Sequence, residues 1–129
     1  MIRRLEGLQN CTKLEELTLH DQRLPRSATF TFDEYSLAAI AGSLYSLNLA
    51  NNQIVECKSL YYCDGLQTLD LRGNLICDLR EQVVPLLSTM RMLTTLDLRD
   101  NEVTRHAKYR EKVIVEGRQL TELDGKTVR

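Results

Sequence analysis

The sequence predicts an α/β fold of stacked units, in which short parallel strands line a concave sheet and 3₁₀ or α segments return along a convex side. Three observations predict it. One leucine-based frame recurs along the chain, the leucines within each copy alternate, and apolar residues three apart follow each copy.

The recurring frame is LxxLxLxxNxL. LYSLNLANNQI from Leu44, LQTLDLRGNLI from Leu66 and LTTLDLRDNEV from Leu93 fit all five key positions. LEELTLHDQRL from Leu14 fits four of the five, with Gln22 in place of Asn, and LTELDG from Leu120 begins a copy and abandons it. The starts lie 30, 22, 27 and 27 residues apart. In LxLxx the leucines point to one side, so Leu17 and Leu19, Leu47 and Leu49, Leu69 and Leu71, and Leu96 and Leu98 form one apolar spine. Asn52, Asn74 and Asn101 fall where the chain leaves each strand. A side-chain amide there donates to and accepts from turn backbone that would otherwise be unpaired.

The returns carry a period of three. Leu8, Cys11 and Leu14, then Cys57, Leu60, Cys63 and Leu66, then Leu87, Met90 and Leu93, and finally Ile114, Gly117 and Leu120 keep this spacing, which suits a tight turn packing one edge inward. The return after Asn74 reads as a helix over DLREQVVPLLSTMRM, capped by Asp78 and kinked or limited by Pro85. AKYREKVIVE is a second helix. The long first return, RLPRSATFTFDEYSLAAIAGS, reads as a loop followed by a helix near Asp33 to Ala41.

These elements make one leucine-rich-repeat domain over residues 1–129, an α/β solenoid with a parallel concave sheet. Repeat strands are expected near 14–24, 44–54, 66–76 and 93–103, with a C-terminal cap over 107–129. Tyr109, Val113 and Ile114 supply a helix face there, and LTELDGKTV folds a last apolar edge over the stack. The N-terminus shows no such device, residues 1–8 being too few. Either the chain is part of a longer protein or something else covers that edge. Self-association, burying Leu5, Leu8 and Cys11 against a second copy, is one way to do so.

Composition narrows the function. Hydrophobic residues make up 43% of the chain and charged residues 27%, so a folded core is expected, built from Leu, Ile and Val because aromatics are only 5% and Trp is absent. Seventeen basic residues against 18 acidic ones leave a charge of -1, without the positive field that nucleic-acid binding favours. The basic start has no apolar run behind it, and no stretch approaches the roughly 18 apolar residues of a membrane span, so a cytoplasmic or nuclear protein is expected. Cys57, Cys63 and Cys77 lack the paired CxxC of a zinc site, and Cys11, Cys57 and Cys63 fall on inward positions. No metal or cofactor is expected. The frame places no Ser, Cys or carboxylate at catalytic distance from His20 or His106, since Asp21 points away from His20 unless a turn intervenes. There is also no phosphate loop or nucleophile elbow, so an enzyme is not expected.

Between the leucines, four columns of residues look out of the concave face. Glu16, Ser46, Thr68, Thr95 and Glu122 make the first, and Thr18, Asn48, Asp70, Asp97 and Asp124 the second. His20, Ala50, Arg72 and Arg99 make the third, and Asp21, Asn51, Gly73 and Asp100 the fourth. Stacked aspartates repel one another by a few tenths to about 1 kcal/mol per opposed pair, which Arg72 and Arg99 can offset. Apart from Ala50 and the fourth column, these residues are the candidate partner-binding set. The face reads either as a mutually satisfied charge ladder or as a preorganised surface that meets a protein partner.

The repeats and the C-terminal segment together resemble the leucine-rich-repeat family whose members regulate protein phosphatase 1. Tyr109, Arg110, Val113, Ile114, Leu120, Leu123, Asp124 and Val128 match the C-terminal cap of that family, and LLSTMRMLTTLDLRDNEV with the cap is most similar to its testis-type regulatory relative. A spliceosomal A-prime protein, an axonemal dynein light chain and tubulin-folding cofactors share the cap. The resemblance implies a non-catalytic protein–protein module, a phosphatase regulator or a cytoskeletal or axonemal adaptor, whose partner is a phosphatase catalytic subunit or a cytoskeletal protein. A ciliary or flagellar location is also implied. The alternative it implies is a ribonucleoprotein component, with Lys108, Arg110, Lys112 and Arg118 as a basic helix face.

Overall fold

The computed structural model describes the whole chain except Met1, Arg23, Arg26, Ser27 and Arg129. In chain order the strands are β1 (Arg4–Leu5), β2 (Glu16–Thr18), β3 (Thr31–Phe32), β4 (Ser46–Asn48), β5 (Thr68–Asp70), β6 (Thr95–Asp97), β7 (Glu122–Leu123) and β8 (Lys126–Thr127). Among the described residues, α-helices run over Glu34–Ile40 (α1), Val84–Thr89 (α2) and Tyr109–Glu116 (α3).

Strands β2, β4, β5, β6 and β7 form a parallel sheet, and β8 turns back antiparallel to β7 at one end. Leu17, Leu47, Leu69, Leu96 and Leu123 stand opposite one another across it. A slip of one residue would turn every one of these leucines to solvent, so burial holds the register. Leu47, Leu49, Leu69, Leu71, Leu96 and Leu98 are all buried. Leu17 and Leu19, on the outermost strand, are only half-buried.

At the strand ends, one amide per repeat satisfies backbone from two repeats. Asn74 Nδ2 donates to Leu49 O at 3.0 Å and Leu71 O at 2.9 Å, and its Oδ1 accepts from Asn52 N at 3.0 Å and Ile54 N at 2.9 Å. Asn101 Nδ2 reaches Leu71 O and Leu98 O, and Asn101 Oδ1 accepts from Ile76 N. Asn52 does the same with Leu19 O, Leu49 O and Gln22 N. Gln22 departs from the pattern with a purpose of its own. Its Nε2 donates to His20 O, while its longer stem carries Oε1 to Ile2 N at 2.8 Å.

The three-apart residues are joined by their own backbone. Cys11 N donates to Leu8 O, Leu14 N to Cys11 O, Leu60 N to Cys57 O and Cys63 N to Leu60 O, all between 2.9 and 3.1 Å. The second return accordingly forms a 3₁₀ segment over Lys58–Tyr62. Asp33 caps α1 by accepting from Ser36 N, and Ser36, Leu37 and Ile40 are its buried face. Each of the two aliphatic side chains contributes about 2 kcal/mol by leaving water.

Three expectations are corrected. The N-terminus does have a device: β1 pairs in parallel with β3, Leu5 is buried, and Leu8 N donates to Ser36 Oγ. This small sheet lies among the returns, and β2 remains the outer strand of the main sheet. The helix expected over DLREQVVPLLSTMRM opens as a π turn, Leu79–Val83, capped by Asp78, and ends at Thr89. Pro85 has no N–H and its ring crowds the carbonyl four residues back, so the chain widens before it and Val84 N bonds Leu79 O instead. The helix expected over AKYREKVIVE begins only at Tyr109, because Lys108 is left-handed (φ 58°), and a 3₁₀ turn over Glu102–Arg105 precedes it. The loop expected at the start of the first return includes Arg23, Arg26 and Ser27, which lie outside the described residues.

Replacing Asn74 with Ala orphans two buried N–H groups, those of Asn52 and Ile54, and removes one of the two amides on each of Leu49 O and Leu71 O. Since each unsatisfied buried group costs about 1–3 kcal/mol, Asn74→Ala is expected to lower the unfolding free energy by about 3 kcal/mol or more in urea titrations. Gln22→Ala is expected to lower it by less than about 1 kcal/mol, because its partners lie near solvent.

Candidate partner-binding face

The sheet face turned away from the leucine spine brings the predicted columns together. In the second column the side chains first serve their own backbone. Asn48 Oδ1 accepts from Ala50 N, Asp70 Oδ1 from Arg72 N and Asp97 Oδ1 from Arg99 N, each at 3.1 Å. These are Asx turns, two residues long, and they hold each strand end open for the positive-φ residue that follows. Asn51 (φ 60°), Gly73 (φ 65°) and Asp100 (φ 60°) take that conformation, as does Asp21 (φ 57°) in the first copy. At Gly73 a Cβ would fall 1.8 Å from Asn51 Oδ1, so any side chain there obliges Asn51 to turn aside.

The same carboxylates grip the arginines two residues on. Arg72 Nε donates to Asp70 Oδ1 at 3.0 Å and Arg72 Nη2 to Asp70 Oδ2 at 2.9 Å. Arg99 repeats this on Asp97, with Nε at 3.0 Å from Oδ1 and Nη2 at 2.6 Å from Oδ2. Arg72 also lies 3.7 Å from Asp97, which links the two rows. The aspartate side chains are 19% and 15% exposed, the arginine side chains 43% and 49%. Each carboxylate is thus roofed by a half-exposed arginine side chain. Burial opposes ionisation of Asp97, but the hydrogen bonds and charge of Arg99, with Arg72 behind it, outweigh it and hold the acid below the usual aspartate range.

Asp124 does not belong to this face in the same way. Its Oδ1 accepts from Leu98 N at 2.7 Å and its Oδ2 from Tyr109 Oη at 3.0 Å, so both oxygens are committed internally. Burial raises its pKa despite those bonds, and burial raises that of Tyr109 as well. Ala50 is buried and offers no side chain to a partner. Ser46, Thr68 and Thr95 are half-buried along the first column, and Glu122 is exposed at its end.

At the other end of the face, Glu16 Oε1 accepts from Tyr45 Oη at 2.9 Å. His20 Nδ1 lies 2.5 Å from Asp21 Oδ2, and Asp21 Oδ1 accepts from Asn51 Nδ2 at 2.7 Å. The expectation that His20 has no carboxylate partner is therefore wrong. The left-handed turn at Asp21 brings back a side chain that an extended strand would point away. Among the described residues no Ser, Thr or Cys side chain hydrogen-bonds His20, so the pair has no nucleophile to activate.

Arg110 of the basic helix donates to Leu123 O and Thr127 O, holding the β7–β8 turn rather than standing free. Cys57 and Cys63 are buried free thiols whose pKa values burial pushes up to about 12 and about 11, while Cys77 is exposed. Among the described residues no group of three or more His, Cys, Asp or Glu is placed to hold a metal ion, and no helix is long and apolar enough to cross a membrane.

No family model matches the chain. Over 124 residues, 96% of its length, it is 29% identical to leucine-rich repeat-containing protein 23 of Bos taurus, and the match spans 27% of that relative. The fold superposes on a Chaetomium Mex67:Mtr2 structure with a TM-score of 0.70 at 22% identity, covering 95% of this chain and 90% of that one. The leucine-rich-repeat domain of Mex67 from Chaetomium thermophilum gives a TM-score of 0.59 at 28% identity, covering 74% and 63%. The Drosophila melanogaster SNF/U2A′ complex gives 0.70 at 22%, covering 97% and 68%. The chain is thus homologous to leucine-rich-repeat proteins, with their α/β fold and parallel sheet.

Two outcomes check the site. In carbon-detected NMR titrations the Asp97 carboxyl is expected to titrate below, and the Asp124 carboxyl above, the aspartate reference of about 3.9. The stability Asp97 contributes is present above that reference and lost as pH falls through its lower native value. The Asp124 contribution has the opposite sign, full below the reference and lost as pH rises through its higher native value. In alkylation time courses Cys77 is expected to react first, and Cys57 and Cys63 only at the rate of unfolding.

Proposed function

We propose that the chain is a non-catalytic protein-interaction module that holds a protein partner against the sheet face centred on Arg72 and Arg99. The observation that carries the proposal is the pair of guanidinium groups fixed by Asp70 and Asp97. Arginine normally loses rotamer freedom when it binds, and here that loss is incurred in the free protein. The N–H groups not spent on the aspartates suit carboxylates and backbone carbonyls of a partner. Two fold neighbours occur in complexes with proteins, Mex67 with Mtr2 and U2A′ with SNF, which supports a protein as the partner.

Within this reading the partner is a protein phosphatase catalytic subunit or a cytoskeletal or axonemal protein, and the place of work is the cytoplasm, a cilium or flagellum, or the nucleus. The resemblance of the repeats and the C-terminal segment to phosphatase regulators motivates the finer assignment. A ribonucleoprotein role is the second reading, resting on the exposed Lys108, Lys112 and Arg118, but Glu111 and Glu116 stand among them and Arg110 is already engaged.

The test measures binding of purified phosphatase 1 catalytic subunit, tubulin and a short RNA to the native chain and to Arg72→Glu/Arg99→Glu. Retention of one protein by the native chain and its loss by at least about tenfold in the variant is the expected result. RNA binding that survives the arginine changes and is lost in Lys108→Glu/Lys112→Glu would favour the second reading. Equal binding of a protein by native chain and arginine variant would remove the sheet face from consideration.

A further inference from the structure

The two ends of the sheet differ. At one end β8 turns back antiparallel and closes it; at the other, β2 is the outer strand. The apolar residues beside β2 show the lack of a neighbour. Leu8, Cys11, Leu14, Leu17 and Leu19 are half-buried, whereas Leu60, Cys63, Leu66, Leu69 and Leu71, their equivalents two repeats on, are at most 1% exposed.

The backbone of β2 and its extension has a definite direction. Glu15 O accepts from Tyr45 N and Ser46 N, Leu19 N donates to Asn48 O, and Asp21 N donates to Ala50 O. Odd-numbered residues therefore face β4, and by strand alternation the N–H and C=O groups of Glu16, Thr18 and His20 face the open edge. The segment Glu16-Leu17-Thr18-Leu19-His20 is also complementary to itself. Turned about a two-fold axis through Thr18, it sets Glu16 against His20 of the second copy, Thr18 against Thr18, and Leu17 against Leu19. The three positions whose backbone faces the edge become the hydrogen-bonded pairs of an antiparallel ladder.

We propose that two copies of the chain join β2 to β2 in this register, making one continuous sheet across a two-fold axis. The side chains are already disposed for it. Tyr45 Oη holds one oxygen of Glu16 and leaves the other, while Asp21 holds His20 Nδ1 and leaves Nε2. The imidazole then lies between its own Asp21 and Glu16 of the second copy. On the opposite side of the sheet, Leu17 and Leu19 meet their counterparts, with Leu8, Cys11 and Leu14 alongside. A self-complementary patch is what a two-fold dimer requires, and pairing removes an edge that would otherwise template any extended strand.

Sedimentation equilibrium of the 129-residue chain from micromolar to near-millimolar concentration tests the pairing, with circular dichroism to check folding. A monomer–dimer equilibrium is expected. His20→Glu sets two carboxylates opposite one another twice per dimer, and Glu16→Lys removes the carboxylate that the imidazole meets; each is expected to weaken dimerisation by about tenfold. The double variant sets Lys opposite Glu and is expected to return to within a few-fold of the native chain. Thr18→Pro removes an N–H that faces the outer edge of β2 and sits on the axis of the dimer, so the variant is expected to fold and to remain monomeric. A native chain that stays monomeric throughout overturns the proposal. So does a dimer whose affinity is unchanged by Thr18→Pro or whose charge variants are not rescued by the double change. Arg72→Glu/Arg99→Glu should leave the dimer intact, which separates this edge from the partner-binding face.

Discussion

Everything in this fold rests on how the backbone is satisfied where it leaves a strand. A chain that turns sharply out of a sheet buries amide and carbonyl groups with no ladder partner, and each costs free energy comparable to a lost hydrogen bond. One asparagine amide per repeat answers this by bonding its own repeat and the one before it. Leu49 O and Leu71 O each receive two such amides, from successive repeats, so the turns are tied into a column parallel to the leucine spine. Asparagine has the length for this. The glutamine of the first repeat reaches past the column to the backbone of Ile2, beside the outer strand β2.

That column frees the opposite face of the sheet for chemistry. With the turn closed by asparagine and opened by the Asx turn of the aspartate four residues earlier, the strand end is rigid enough to hold Asp70 and Asp97 in place. The aspartates fix the arginines, and the arginines relieve the repulsion between stacked carboxylates. The arginine side chains stay half exposed yet fixed, because two of the five N–H donors of each are spent on the aspartates.

The ends of the sheet show a contrast in how edges are managed. At the C-terminal side, the hydroxyl of Tyr109 on α3 reaches back to Asp124, and Arg110 bonds the carbonyls of Leu123 and Thr127, so helix, turn and last strand form one closed unit. At the N-terminal side, β1 closes only the return layer, through its ladder with β3, and leaves the strand layer open. The core is accordingly tight from β4 onward and looser around Leu17.

The repeat, the parallel register, the buried leucines and the role of the asparagines were legible in the sequence, because each depends on alternation within a strand or on contacts between identical positions of neighbouring copies. The columns of the exposed face were legible for the same reason, as far as strand geometry holds. Tertiary structure decided what happens where that geometry ends. The left-handed backbone at Asp21 brings its carboxylate to His20, and the turn at Asp124 draws its side chain inward to Tyr109 and Leu98. The π turn before Pro85 and the pairing of β1 with β3 likewise depend on local crowding and on a partner 27 residues away. Periodicity determines which residues share a face. Only the turns, whose dihedrals no period encodes, determine which of them touch.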